Sequence, residues 1–458
     1  MSFTDGKTIA AIATPAAAGG IGIIRISGPN AFEIADKVFR SKDSSPLSDA
    51  KGYTMKYGGV YDGETLIDEA LALIYRAPKS YTGEDVIELS CHGGIYVLNR
   101  VLRSVIAFGA QAAAPGEFTK RAFLNGKLDL TQAQAVMDIV CAQGEQAAKG
   151  AAAAKDGAIS RRIAQIKQPL VDLSAHMGVW SDYPDDDLPE LTDEMIIEKL
   201  CFAQGKLTEL LRSFDAGKIL CTGISTAIIG KPNVGKSTLM NLLARTERSI
   251  VTSVAGTTRD IVEENVRLGK LILRLADTAG IHETADEVEK IGVARAQEKM
   301  KNADLVIAVF DSSKELDSDD MTVIELVKNS KSIAVVNKTD LEQRLDTSTI
   351  ESAFSRVVYM SAGTAEDCSA LEKAAEELFE LADYDTSSGI INNERQRACC
   401  ARALECVTEG VEAMRAFMTF DAVNISIDCA LEALMELTGE RITTEVTDAV
   451  FENFCVGK

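Results

Sequence analysis

The chain has 458 residues, of which 46% are hydrophobic and 26% charged, as in a globular protein of about three domains. Its net charge of −21 at pH 7 argues against non-specific coating of nucleic acid, since the overall field repels phosphate, but it does not exclude a local basic patch for one RNA. We find no signal-peptide pattern and no apolar run of the roughly 18 residues that span a membrane, and ten cysteines without a C-x-x-C pair favour reduced thiols in the cytoplasm.

Residues 1–117 predict an α+β N-terminal domain, because β-type and helical patterns alternate along them. Predicted strands cover 8–13, 22–27, 70–76 and 86–91, and predicted helices cover 29–39 and 95–108. Arg25 and Glu88 stand inside apolar strands, where charge is unusual. Each either faces outward from a half-exposed strand or belongs to a ligand pocket, and the residues leave both readings open. Cys91 and His92 resemble a nucleophile or metal site, but three histidines without ligand spacing count against it.

Residues 118–216 predict the first part of an all-α helical domain. A polar, turn-rich connection over 116–130 precedes a capping box formed by Thr131 and Gln134. The next helix starts at Ala158 and bends or restarts at Pro169. We expect a solvated acidic loop at Asp185, Asp186 and Asp187. A third helix is predicted from Asp193 through Leu211.

Residues 217–383 contain a strand, a glycine-rich loop and a helix in the order that a phosphate-binding loop requires. Gly230, Gly235, Lys236 and Ser237 form G-x-x-x-x-G-K-S. The glycines let the loop turn its N–H groups inward, toward a polyphosphate held at the helix N-terminus. Lys236 would reach the β- and γ-phosphates, and the Ser237 hydroxyl would bind Mg²⁺.

Further nucleotide signals follow in the same segment. Residues 253–260 form a Gly/Thr-rich switch loop, and Asp277 to Gly280 read D-T-A-G, in which the aspartate holds Mg²⁺ through water. The Asp340 carboxylate of N-K-T-D would accept from N1–H and the 2-amino group of guanine, which adenine does not offer. These signals predict an inserted, doubly wound α/β P-loop GTPase (G) domain. The predicted GTP-binding residues are Asn233, Val234, Gly235, Lys236, Ser237, Thr238, Thr252, Ser253, Val254, Ala255, Gly256, Thr257, Thr258, Asp277, Thr278, Ala279, Gly280, Asn337, Lys338, Asp340, Ser361 and Ala362.

Small signalling GTPases carry a water-orienting glutamine after D-x-x-G, but Ile281 occupies that position here. Isoleucine does not hydrogen-bond water. Either hydrolysis is poor or the base comes from elsewhere, and the acidic run over 283–289 offers candidates.

Residues 384–458 return to helical periodicity and predict the second part of the helical domain. Gly439 fits a helix C-cap, and Thr443 or Thr444 can open a short last helix. Neither helical flank is complete alone, so we expect one discontinuous helical domain with the GTPase inserted in it. We expect Cys399, Cys400 and Cys406 to be small core residues.

Taken together, the motifs make the chain resemble the bacterial tRNA modification GTPases of the MnmE (TrmE) family. The resemblance covers essentially the whole chain. It rests on the G motifs with their G-T-T-R-D loop, on I-R-I-S-G (24–28), G-E-D-V-I-E (83–88), H-G-G (92–94), G-E-F-T (116–119) and R-A-F-L-N-G-K-L-D (121–129), and on C-V-G-K (455–458).

This resemblance implies that the N-terminal domain mediates homodimerisation and binds 5-formyl- or methylene-tetrahydrofolate, whose contacts map to Arg25, Glu88, Lys127 and Lys458. It implies G-domain pairing during hydrolysis and a heterotetramer with MnmG (GidA), which supplies FAD. The two proteins act on tRNA and install a (carboxymethyl)aminomethyl group at C5 of the wobble uridine.

The resemblance also implies K⁺ beside the phosphates, with ligands that map to Asn233, Thr252, Val254 and Thr257. Mg²⁺ ligands map to Ser237 and Thr258. The catalytic acid maps to Glu289, which orients water through a second, bridging water and so answers the question raised by Ile281. Cys455 is either part of the modification chemistry or a packed tail cysteine.

The competing interpretation is a P-loop GTPase that acts as a ribosome-assembly or signalling binding module. Such a protein should carry an RNA-binding appendage, such as a basic tail. The C-terminal segment is instead acidic and helical, which favours the enzyme.

Overall fold

The computed structural model describes residues 6–182, 192–246, 264–275, 303–328, 330–363, 368–379, 388–452 and 454–457. The chain divides into two compact units. Unit 1 comprises Met1–Met137, Lys155–Leu200 and Glu405–Lys458, and unit 2 comprises Asp138–Ala154 and Cys201–Leu404. Within the described ranges, no helix is both long and apolar enough to cross a membrane.

Unit 1 contains a seven-stranded sheet in the order β3-β4-β5-β6-β2-β1-β7, antiparallel except for the pair β1–β7. Its strands are β1 (Ile9–Ile12), β2 (Ile21–Ser27), β3 (Phe39–Ser41), β4 (Thr54–Asp62), β5 (Thr65–Tyr75), β6 (Val86–His92) and β7 (Gln111–Ala112). Helices α1 (Ala31–Val38) and α2 (Ile95–Ala107) bury Ile34 and Val101 against one face, which carries Ile24 and Leu89. The opposite face is only partly covered.

The helices of unit 1 come from both ends of the chain, as the discontinuous-domain prediction requires. Helix α6 (Ala158–Asp182) packs against α13 (Phe420–Thr438), with Ser174 donating to Asp428 at 3.1 Å and Lys167 paired with Glu440 at 2.6 Å. The other helices that lie wholly or partly in this unit are α3 (Glu117–Leu124), α4 (Leu130–Cys141), α7 (Asp193–Thr222), α12 (Glu394–Arg415) and α14 (Thr444–Phe451). Gly439 adopts the left-handed conformation at the end of α13, and Thr443 caps α14, as predicted.

Unit 2 contains a six-stranded sheet in the order β13-β12-β11-β8-β10-β9, parallel except for β9. Its strands are β8 (Ile224–Ile229), β9 (Glu264–Leu268), β10 (Leu271–Leu275), β11 (Leu305–Asp311), β12 (Ser332–Asn337) and β13 (Val357–Tyr359). Successive residues of β11 enter two different cores, Ile307 on one face and Ala308 on the other. That double burial explains the unbroken apolar sequence of β11 and agrees with the doubly wound prediction. Among the described residues, this unit contains parts of α4, α7 and α12 and most or all of α5 (Glu145–Lys155), α8 (Lys236–Thr246), α9 (Ser318–Val327), α10 (Thr347–Ala353) and α11 (Ser369–Leu378).

Several local predictions were wrong. The supposed connection over 116–130 contains α3, because Phe118 and Ala122, one turn apart, are buried together. The capping box belongs to Asp129 and Gln132 rather than to Thr131 and Gln134: the Asp129 carboxylate accepts from the Gln132 N–H at 2.9 Å.

Two helices are longer than their sequence predicts. Helix α6 continues through Pro169, since Leu170 and Leu173 on the following turn are buried. Helix α7 extends to Thr222 instead of Leu211, and Phe214 and Leu220 are buried along the extension.

The cysteine prediction holds in part. Cys399, Cys400 and Cys406 are buried, but Cys406 forms a disulfide with Cys429 rather than remaining a thiol. The turn between α12 and α13 makes the two helices neighbours and brings the two Cα atoms within 6.0 Å. The acidic loop predicted at 185–187 lies outside the described residues.

We expect Gly439→Ala to lower the free energy of unfolding of unit 1 by about 2 kcal/mol. Its φ of 85° disfavours a side chain, and a Cβ would lie 2.8 Å from the Leu130 Cβ. Fluorescence of Trp180, the single tryptophan, reports urea unfolding of this unit. Gly178→Ala is the matched control, because nothing lies within 4 Å of its Cβ position in α6. Equal unfolding midpoints for the two variants would contradict the prediction.

Candidate functional site

The loop between β8 and α8 has the backbone that its glycines predict. Gly230 and Gly235 have φ values of 148° and 99°, and Asn233 lies in the left-handed region at 67°. A Cβ on Gly230 would lie 2.5 Å from the Val309 carbonyl oxygen, and one on Gly235 would overlap the Asn337 amide. The tight curve of the loop therefore excludes side chains at both glycines.

The polar groups of this loop face the place where phosphates are expected. The Lys236 ammonium donates to the carbonyls of Gly230 and Lys231, both at 2.7 Å, so its charge lies along the inside of the curve. Ser237 and Thr238 are exposed in the first turn of α8. A helix N-terminus beside a lysine and two hydroxyls suits a polyphosphate with its metal ion.

An ion cluster of one lysine and two aspartates fixes the start of the loop, and sequence reasoning missed it. Lys231 contacts Asp317 at 2.8 Å and Asp320 at 2.6 Å. Burial acts to lower the pKa of Lys231, but the hydrogen bonds that its ammonium donates to the two carboxylates outweigh it and raise the pKa. The same aspartates form the capping box of α9, which the spacing D-x-x-D before an apolar run could have indicated.

Asn337 joins three of the predicted nucleotide segments. Its buried amide donates to the Val234 carbonyl at 2.9 Å and accepts from the Ala362 N–H at 2.9 Å. Nearby, the Ser361 hydroxyl donates to the Asp340 carboxylate. The phosphate loop and the N-K-x-D and Ser-Ala segments therefore meet at the carboxyl ends of β8, β12 and β13.

Lys338 makes a second connection between these segments. It has a φ of 63°, and its ammonium donates to the Asn233 carbonyl at 2.8 Å and to the Asp311 carboxylate at 2.6 Å. Asp311 was not predicted to have a role.

The remaining predicted nucleotide residues lie outside the described residues. They are Thr252, Ser253, Val254, Ala255, Gly256, Thr257, Thr258, Asp277, Thr278, Ala279, Gly280 and Glu289. Ile281 and the acidic run over 283–289 lie outside them as well.

A second group of polar residues lies on the partly covered face of the unit 1 sheet. Arg25 and Glu88 are cross-strand partners joined at 2.7 Å, and both side chains are mostly buried. The guanidinium also donates to the Gly457 carbonyl at 3.0 Å and lies 5.5 Å from the ring centroids of both Tyr81 and Phe118. The two strand charges thus form one enclosed pair rather than two outward-facing side chains.

Lys127 contacts the loop that carries Tyr81. It is exposed, and its ammonium donates to the Pro78 carbonyl at 3.1 Å. A Cβ on Gly83, whose φ is 80°, would lie 3.5 Å from Cγ of Lys127. The fourth predicted contact, Lys458, lies outside the described residues.

Arg121 holds this region together, and sequence reasoning assigned it no role. It is buried, pairs with Glu84 at 3.0 Å and Glu117 at 2.9 Å, and donates to the Lys7 carbonyl at 2.8 Å. The pairing fastens α3, which carries Phe118, to the loop that carries Tyr81. The i,i+4 spacing of Glu117 and Arg121 was the available signal.

The C-terminal tail packs on unit 1. Phe454 is buried, with its ring centroid 5.0 Å from that of Phe451, and Cys455 is half-buried. The Gly116 N–H donates to the Cys455 carbonyl at 3.3 Å, which places the cysteine near α3.

Cys91 and His92 do not form a reactive pair. Burial, and to a lesser extent Asp68, raises the pKa of the Cys91 thiol to about 12, which leaves it protonated at neutral pH. The imidazole of His92 instead contacts the Asp68 carboxylate at 2.8 Å. No group of three or more potential metal ligands occurs in the part of the chain that the structure describes.

Two family models match the chain. One, described as GTP-binding protein TrmE N-terminus, matches residues 8–127, and the other, described as MnmE helical domain, matches residues 130–455.

Curated relatives match along their whole length. A protein of Alkaliphilus oremlandii (strain OhILAs) named tRNA modification GTPase MnmE is 41% identical over 456 residues, with 98% of this chain and 99% of the relative covered. Proteins of the same name from Alkaliphilus metalliredigens (strain QYMF) and Listeria innocua are each 42% identical, covering 100% and 98% of this chain and 100% and 99% of their own.

Solved structures match over a smaller share of the chain. The G domain of the T. maritima FeoB iron transporter is 25% identical over 35% of this chain and 99% of its own, with a TM-score of 0.25. An Aquifex aeolicus Era variant bound to GDP and AlF4⁻ is 24% identical over 40% of this chain and 66% of its own, with a TM-score of 0.26.

We expect Asn337→Ala to lower the local stability of unit 2 by about 2–4 kcal/mol, because it leaves the Val234 carbonyl and the Ala362 N–H unpaired. Hydrogen exchange of the β8 and β12 amides measures the loss, and GDP affinity should fall with it. Thr322→Ala, which removes an exposed hydroxyl on α9, is the control and should change either quantity little. Unchanged exchange in the Asn337 variant would contradict the bridging role.

Proposed function

Because the chain belongs to the MnmE family of tRNA modification GTPases, we propose that K⁺ activates its GTP hydrolysis and that hydrolysis drives folate-dependent modification of tRNA. With MnmG (GidA), which supplies FAD, it adds a (carboxymethyl)aminomethyl group at C5 of the wobble uridine. The observation that carries this proposal is the meeting of the phosphate loop, Asn337 and Ala362 at one sheet edge, in a chain similar end to end to such enzymes. We place the reaction in the cytoplasm, where tRNA is used.

The phosphate loop supplies the metal and phosphate contacts. Lys236 and the N-terminus of α8 would hold the β- and γ-phosphates, and the Ser237 hydroxyl would bind Mg²⁺ together with Thr258. An exposed hydroxyl one residue after the lysine suits a hard cation that prefers oxygen ligands. Asp340 would read guanine by accepting its two N–H donors.

Asn233 is the residue that we assign to K⁺, with Thr252, Val254 and Thr257. Its side chain is exposed at the bend of the loop, and its left-handed backbone is fixed from one side by Lys338. An amide oxygen suits a monovalent cation placed beside the β- and γ-phosphates. The charge of that cation would offset the charge that develops on the phosphates during transfer.

Glu289 is proposed as the acid that orients the attacking water through a bridging water. Ile281 offers no polar group for this task. A carboxylate later in the same switch segment accepts from water and can take the place of the glutamine of signalling GTPases.

The enclosed pair Arg25–Glu88 is proposed as the folate site, with Lys127 and Lys458. The Glu88 carboxylate matches the donor face of a pterin, and the cations match the glutamate tail of the cofactor. Tyr81, which is partly exposed, gives the pair an aromatic wall on which a flat ring can pack, and the fully buried Phe118 supports the guanidinium from within the core. The bound folate supplies a one-carbon unit, and these residues hold and orient it. The role of Cys455 in the modification stays a proposal.

The exposed part of the same sheet face supports a homodimer through residues 1–117. Tyr57 and Leu71 are direct cross-strand partners, and both side chains are exposed, as are Met55 and Ile21. An apolar sheet face of this kind is expected to be covered in the working protein.

We propose residues 118–216 and 384–458 as the helical domain and 217–383 as the G domain. The G domain pairs with its counterpart in the partner subunit during hydrolysis.

We expect the GTPase rate to rise severalfold when Na⁺ is replaced by K⁺ at constant ionic strength. The size of the cation site and the number of its ligands decide which ion binds beside the phosphates. Steady-state GTP hydrolysis in the two salts is the measurement. In the variant Asn233→Ala the stimulation should disappear while GDP still binds. Equal rates in both salts for the unchanged chain would reject the potassium assignment.

We expect Glu88→Gln to weaken binding of 5-formyltetrahydrofolate by about tenfold or more, because a charge-assisted acceptor becomes a neutral one. Titration calorimetry measures the affinity, and GTP hydrolysis should not change. Glu64→Gln, at an exposed hairpin of the same domain, is the matched control.

Removing residues 456–458 should also weaken folate binding, since Gly457 and Lys458 are lost. Unchanged affinity in both variants would reject this site.

A further inference from the structure

Asp311 is a buried carboxylate that the proposed chemistry does not use. It ends strand β11, and its side chain is 1% exposed. One carboxylate oxygen accepts from the Lys338 ammonium at 2.6 Å, and the other accepts from the N–H and hydroxyl of Ser313 at 3.0 and 2.7 Å. Burial acts to raise the pKa of Asp311, but the hydrogen bonds from Lys338 and Ser313 outweigh it and leave the pKa below its ordinary value. The group is therefore ionised at neutral pH.

Lys338 connects this carboxylate to the phosphate loop. The ammonium that contacts Asp311 also donates to the Asn233 carbonyl at 2.8 Å. Such a contact helps to hold Asn233, because a residue with a side chain, even asparagine, tends to relax out of the left-handed region. A hydrogen bond to its carbonyl from a fixed cation opposes that relaxation.

The carboxylate decides where the ammonium lies. Lys338 is 31% exposed, so water competes for its charge once the buried partner is removed. The ammonium would then turn toward solvent and release the Asn233 carbonyl. The neighbouring carbonyl of Val234 would stay bound to Asn337. Loss of the Asp311 charge should therefore free one residue of the loop without unfolding the loop.

We propose that Asp311 is a positioning residue that fixes Asn233 through Lys338. It thereby couples the guanine-binding N-K-x-D segment to the proposed potassium ligand. The inference rests on the proposed K⁺ activation and adds a residue to it. In this arrangement the Lys338 ammonium belongs to the base-recognition segment and donates to the carbonyl of Asn233, the proposed cation ligand. Guanine held at Asp340 stabilises the N-K-x-D segment and, through Lys338, the geometry of Asn233.

The variant Asp311→Asn tests the role, with GTP hydrolysis measured over a range of K⁺ concentrations. We expect the K⁺ concentration for half-maximal activity to rise about five- to tenfold, with kcat at saturating K⁺ and GTP nearly unchanged. Affinity for GDP should fall about threefold or more, because the loop is less fixed. The matched control is Asp304→Asn, the same change immediately before the first residue of the same strand, where the carboxylate accepts from the Ser225 N–H at 3.1 Å. The control should leave both quantities unchanged.

A double-mutant cycle with Lys338→Met separates this route from a general loss of structure. If Asp311 acts through Lys338, Asp311→Asn has no further effect on the K⁺ or GDP constants once Lys338 is replaced. Additive effects of the two changes would overturn the inference, as would an unchanged K⁺ constant in the single variant.

Failure of the underlying function is distinguishable from failure of this inference. Equal rates in K⁺ and Na⁺ for the unchanged chain would remove the potassium assignment and the coupling to it. The GDP measurement would still decide whether Asp311 positions the loop. Urea unfolding of each variant shows whether the protein is folded in these assays.

Discussion

The carboxyl edge of the unit 2 sheet depends on one buried amide. Asn337 ends strand β12 and spans the gap between the phosphate loop and the segment after β13 by donating to one and accepting from the other. Parallel strands place their loops at the same edge, but they do not by themselves fix how the loops are spaced. The hydrogen bonds of Asn337, together with the Lys338 ammonium, supply that spacing. A nucleotide can contact all three segments only because they are already held at matching positions.

In unit 1, two charged side chains lie on a sheet face and are largely shielded from solvent. Arg25 and Glu88 neutralise each other across two strands, and α3 and the loop with Tyr81 enclose the guanidinium. Arg121 is what keeps α3 and that loop in place. A mostly buried pair whose guanidinium lies near two aromatic rings has strong electrostatic interactions in a low local dielectric, so a ligand with complementary groups gains more there than at an open surface.

The sequence predicted well the features that are encoded locally. The phosphate loop was recognisable because Gly230, Gly235 and Lys236 meet their structural requirements within eight residues of chain. The strand β11 was recognisable because both of its faces are buried. Helix α3 was missed because its burial depends on a salt bridge to Glu84, more than thirty positions earlier in the chain. Asp311 was missed for a similar reason. Its importance follows from the strand register that sets it opposite Asn337, and a single sequence does not state register.

The two proposed properties of unit 1 share one surface, and this has a physical consequence. The row of cross-strand partners that contains Arg25 and Glu88 lies next to the row formed by Tyr57, Leu71, Ser90 and Ile23. One row is charged and enclosed, and the neighbouring row is partly apolar and exposed. A second subunit that covered the apolar row would also remove water from the edge of the charged pair. Removing water strengthens the hydrogen bonds that a folate would make with Glu88, so dimer formation and cofactor affinity should rise and fall together.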